Sequence, residues 1–209
     1  MSSKKHEVVF TIKCELLRDS YAYEIIEAFL HTIFFFRTLE GTFKPQDASC
    51  PSLAVTYAQV PSAKLRSSID AIATQFHEKL QRRKPNTTSS VTMNLCFMTK
   101  SKGIMQWKVE VWEKWEIVIT VPDTKTAESV SEAEAKEFAA NAVIEQLNEI
   151  IYNVTTWTRH LPHVSKKAEM PSAVDISIDQ LPYHYDMKIE DDGKSSALQV
   201  GLNFVQRML

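Results

Sequence analysis

The chain has 209 residues, 44% of them hydrophobic, which is enough to bury a sizeable core in one domain spanning residues 1–209. Its 24 basic and 26 acidic side chains give a formal net charge of -2, so no global field draws nucleic acid or an anionic membrane surface. Three widely spaced cysteines, Cys14, Cys50 and Cys96, form no C-x-x-C pair; this argues against a disulfide framework or a thiolate zinc site and fits a reducing compartment.

Val8, Phe10, Ile12, Cys14 and Leu16 alternate with mostly polar neighbours, the period of a half-buried strand rather than the apolar core of a signal segment. No later run approaches membrane-spanning length, which predicts a soluble, intracellular protein with no direct membrane span. Asp19 or Ser20 offers a cap for a helix predicted over Tyr21–Arg37. Tyr23, Ile26, Leu30, Ile33 and Phe34 form its stripe, and Phe29, Phe35 and Phe36 widen the apolar surface, so burial on more than one side is expected.

Gly41–Pro51 reads as irregular, and Leu53–Val60 as a strand of mixed exposure. Leu65, Ile69, Ile72, Phe76 and Leu80 recur at helical spacing and predict an amphipathic helix over Ala63–Lys84. The cations at its end, Lys79, Arg82, Arg83 and Lys84, meet the negative end of the helix dipole and require no ligand.

Val91, Met93, Leu95 and Phe97 alternate as one strand, and Trp115, Ile117, Ile119 and Val121 as its partner. The connection, about Thr99 to Val111, is longer than a tight hairpin needs and carries Ile104, Met105 and Trp107, which predicts a tongue or protruding loop. Three of the chain's four tryptophans, Trp107, Trp112 and Trp115, crowd into this stretch. Large apolar side chains with one N–H to satisfy suit a core seam or a partner interface.

Ser131 followed by Glu134 is a capping-box pattern and starts a third helix, with a predicted stripe of Ala135, Phe138, Ala142, Leu147, Ile150, Val154 and Trp157. At 1.5 Å rise per residue it reaches about 40 Å and is expected to be the central helix. His160–Pro171 reads as a loop, and short extended segments are expected around Asp175, Tyr183 and Ala197. The tally is α+β, a mainly antiparallel sheet packed on three helices.

Four glycines, Gly41, Gly103, Gly193 and Gly201, cannot write a Walker loop or a dinucleotide fingerprint, so no nucleotide cofactor is expected. His160 and His163, even with His184 or Asp186, make a poor metal set, and no metal is expected. His31 beside Glu27 could form a buried base, the basis for a hydrolase alternative, but no nucleophile signature accompanies it and a core histidine is the stronger reading. Glu110, Glu113 and Glu116 form no recognisable acid/base pair and are expected to keep a strand edge soluble.

Three strings occur in order: Phe29-Leu30-His31-Thr32-Ile33 with Arg37, then Thr56-Tyr57, then Trp112-Glu113-Lys114-Trp115. With the element order they resemble the HORMA-domain proteins of the autophagy-related protein 101 family, over most of the chain. The resemblance implies an open-type HORMA domain without a long C-terminal belt, and a non-enzymatic adaptor without cofactors. Its implied partners are the HORMA domain of the autophagy-related 13 protein, the autophagy-initiation kinase complex and downstream autophagy factors. It implies a cytoplasmic protein recruited to the autophagosome assembly site. The alternative within the fold is a spindle-checkpoint or meiotic HORMA adaptor that closes on a peptide.

The resemblance also implies a tryptophan-and-phenylalanine finger just before the W-E-x-W string. Ungapped from Trp112, those positions fall on Gly103, Ile104 and Met105, so the aromatic pair is absent. Ile104 and Met105 with Trp107 are expected to supply the apolar tip that binds downstream factors. The partner interface is expected at Phe35, Phe36 and Arg37. His31, Trp112 and Trp115 are expected as structural motif residues.

Overall fold

The computed structural model of the protein describes residues 7–38, 44–82, 87–102, 107–123, 126, 129–157 and 184–190. Alternation makes β1, Val8–Glu15: Phe10, Ile12 and Cys14 turn inward while Val9, Thr11, Lys13 and Glu15 face solvent. It pairs in parallel with β5, Trp107–Val121, from Val8 opposite Glu113 to Glu15 opposite Thr120. β5 pairs antiparallel with β4, Ser89–Lys102, which pairs antiparallel with β6, His184–Ile189. The mixed sheet therefore runs β1-β5-β4-β6, and with three helices among the described residues the chain is α+β.

α1, Ala22–Arg37, is buried nearly all round. Ile25, Ile26, Phe29, Leu30, Ile33 and Phe34 are fully enclosed, so this helix is the central one, a correction to the expectation for the longer third helix. Neither Asp19 nor Ser20 caps it by a side chain; Asp19–Tyr21 forms a 3-10 turn instead. The Tyr21 hydroxyl donates to Glu132 at 2.6 Å and ties this turn to the start of the third helix.

Within the stretch expected to be irregular lies β2, Gln46–Cys50, paired antiparallel with β3, Val55–Gln59. Its sequence, QDASC, has one buried residue and low strand propensity, so only pairing with β3 makes it a strand. The connecting turn holds Ala54 at φ 55, the left-handed region that a Cβ disfavours.

α2, Ala63–Gln81, is capped by Ser62, whose hydroxyl accepts from the Leu65 amide, and it buries the predicted stripe. It packs beside α1 under β4 and β6. The third helix, α3, Glu132–Thr156, starts with the predicted capping box and packs on α1 and β1. Its buried stripe is Ala135, Ala139, Val143, Leu147, Ile150 and Val154, so the expected inward places of Phe138 and Trp157 are corrected: they stand 42% and 41% exposed. Alanines at the first inward positions let the helix approach closely, leaving no room for the phenylalanine on that side.

Candidate functional site

Glu113 lies on β5 in phase with Trp115, Ile117, Ile119 and Val121, all buried. A carboxylate at that phase loses its water, so its oxygens require donors from the protein. The last turn of α1 supplies two: Arg37 donates Nε to Oε1 at 2.7 Å and Nη2 to Oε2 at 2.5 Å. Trp115, two residues on and on the same face, donates its indole Nε1–H to Oε1 at 2.6 Å. The charged side chains are 0% and 4% exposed, so this is a desolvated fork of the kind guanidinium geometry suits.

The expectation for the three carboxylates is thereby corrected at Glu113. β5 is an interior strand between β1 and β4, and its inward phase extends two residues from Trp115 to Glu113. Glu116, on the opposite phase, remains half-buried and accepts from Lys114 at 2.6 Å.

Beside this pair the strand register shifts. Phe97 of β4 stands opposite Glu113 while Met98 stands opposite Val111, which makes Trp112 the extra residue of a β-bulge. The bulge puts Trp112 on the side of Phe97, with ring centroids 5.6 Å apart. Phe97 meets Phe34 edge-on at 5.4 Å, and Phe34 meets Tyr185 at 4.8 Å, so an aromatic row runs from β5 across β4 and α1 to β6. On the other flank Trp115 packs on Phe10 at 4.4 Å.

Past the bulge, β4 and β5 continue without a flanking strand among the described residues. Pairing runs from Thr99 opposite Glu110 to Lys102 opposite Trp107, whereas β1 begins at Val8 opposite Glu113 and β6 begins at His184 opposite Met98. A two-stranded arm thus projects beyond the four-stranded sheet. Of the two forms expected between Thr99 and Val111, the paired strands are those of a tongue rather than a loop.

Six residues before Arg37, His31 is fully buried on α1 and stacks on Tyr57 of β3, with centroids 5.9 Å apart and planes 21° from parallel. Neither ring nitrogen has a hydrogen-bond partner among the described residues, so the base–carboxylate pairing with Glu27 is not made. Burial, with the Arg66 cation adding to it, pushes the imidazole down from its ordinary 6.5 to about 4. It is a neutral core ring near pH 7, without a hydrogen bond among the described residues. All three strings singled out in the sequence therefore converge on α1, Tyr57 at His31 and the W-E-x-W string at Arg37.

A family model for Autophagy-related protein 101 matches residues 16–168, well over half of the chain. The chain belongs to that family. Its function accordingly lies in autophagy. A search of the curated proteins found no match.

Among this family member's predicted site residues, Trp112, Trp115 and Arg37 come together around Glu113, and His31 lies deeper on the same helix. Arg37 is turned inward, beneath the surface rather than in it. Phe35 and Phe36 are half-buried, edge-on to one another at 5.3 Å. Ile104 and Met105 lie outside the described residues, and Trp107 is described only as the backbone rung opposite Lys102.

Sequence reasoning missed the role of Glu113, although its signal was present: a carboxylate two residues before Trp115, in phase with a buried strand face. It also missed Phe138, Ile144, Ile151 and Tyr152 as exposed apolar residues of α3. Among the described residues no group of His, Cys, Asp or Glu is arranged to hold a metal, and no helix is long and apolar enough to cross a membrane.

Proposed function

We propose that this chain is a non-catalytic HORMA-domain adaptor of the autophagy-initiation kinase complex. It is a single open-type domain that pairs with the HORMA domain of the autophagy-related 13 protein and recruits downstream autophagy factors. It acts in the cytoplasm, at the autophagosome assembly site. Family membership supports the setting. The observation that supports the adaptor reading is the projecting β4–β5 arm, whose paired strands run as far as Lys102 and Trp107, the residues that bracket Ile104 and Met105 in the sequence.

Phe35 and Phe36, half-buried at the end of α1, are the docking residues for the partner, with Arg37 supporting them from within. A rival surface is favoured by one observation, the exposure of Phe138, Ile144, Ile151 and Tyr152 on α3. Phe36→Asp and Ile144→Asp separate the two: the variant that loses the co-purifying partner while retaining its circular dichroism marks the docking surface.

The central test is a pulldown from starved cells with identification of the recovered proteins. Recovery of a HORMA partner and a kinase subunit is expected, and recovery of neither overturns the assignment. Deleting residues 103–107 is expected to abolish recovery of downstream factors while the partner complex persists. Unchanged recovery would remove the tip from the mechanism.

A further inference from the structure

We infer that the buried Arg37–Glu113 pair is a positioning device for the β4–β5 arm, fixing the direction in which the arm presents its tip; this rests on the reading of the arm as the recruiting element. A two-stranded ribbon is marginal in water by itself, and past Met98 and Glu113 this arm has no flanking strand among the described residues. The described contacts that can set its direction lie at its base. There the Trp112 bulge bends the ribbon, and a bulge by itself sets twist without anchoring it to the layer below.

The anchor is the residue next to the bulge. Glu113 is held through both carboxylate oxygens by the Arg37 fork and through Oε1 by the Trp115 indole, so the strand's last flanked residue is fixed to the end of α1. Two parallel N–H···O bonds restrain orientation as well as distance, which a single lysine contact does not. Trp112 on Phe97, and Phe97 on Phe34, brace the same junction by packing. Arg37 and Glu113 touch no downstream factor in this arrangement; they act through the strand that carries the tip.

Hydrogen exchange on the full-length chain tests this with Arg37→Met combined with Glu113→Leu, which keeps the volume filled and removes the fork. Amides of residues 99–102 and 107–110 are expected to exchange at least about tenfold faster, while those of residues 115–121 keep their rates. In parallel, the proteins recovered from starved cells that depend on residues 103–107 are expected to fall at least about tenfold. Arg37→Lys, which keeps the charge and loses the fork, is expected to give a smaller change in the same direction.

Unchanged arm exchange in the folded double variant overturns the proposal, as does faster exchange with undiminished recovery. Should that variant not fold, the unsubstituted protein still decides: arm amides exchanging at free-chain rates would mean nothing is positioned. Failure of the underlying reading has a different signature, recovery that survives deletion of residues 103–107 whatever the exchange rates.

Discussion

His31 and Arg37 sit on the same central helix, both buried, and solve the burial of a polar group in opposite ways. Arg37 is met by Glu113 in a complementary fork, and Trp115 adds a third donor to the carboxylate. His31 has no such partner among the described residues and gives up its charge instead. A buried ionisable group persists charged only where the surrounding elements present matching geometry; otherwise it titrates to neutrality.

The largest test of this contrast removes one side of the pair. Arg37→Met leaves Glu113 buried without its counter-ion and should cost about 3–5 kcal/mol in chemical denaturation, while adding Glu113→Leu should recover most of that loss. If the double variant is as unstable as the single, packing rather than charge compensation dominates the site.

His31 should respond to pH. Its folded pKa is depressed to about 4 from an ordinary 6.5, so the folded state binds fewer protons than the unfolded chain within that window. The contribution is present above 6.5 and is lost as pH falls toward 4, by up to about 3 kcal/mol. Denaturation midpoints measured from pH 7 to pH 4 should therefore decline, and His31→Phe should flatten the slope. A slope that survives the substitution would assign the decline to other groups.

Trp115→Phe is the mildest probe. It deletes one donor to Glu113 and leaves both arginine contacts, for an expected loss of about 2 kcal/mol. A loss as large as that of Arg37→Met would show that the indole is an equal partner in holding the carboxylate.

Local periodicity carried much of the fold. β1, α2 and the capping box of α3 were legible because their signals lie within one element: alternation, a helical stripe, a serine three residues before a glutamate. β2 was not, since its five mostly polar residues become a strand only through the ladder they form with β3. The face of α3 was misread at Phe138 because close approach to α1 and β1 selects small side chains, a constraint imposed by neighbours distant in sequence.

The site divides in the same way. The sequence by itself determined the strings, the tryptophan cluster and the family they indicate, because residue identity and spacing are local quantities. Only the tertiary structure decided that Glu113 faces Arg37, that Trp112 is the bulge and that the strands run on as a projecting arm. Those outcomes depend on strand register and on which helix lies beneath, and a one-residue change in register would have turned the carboxylate to water.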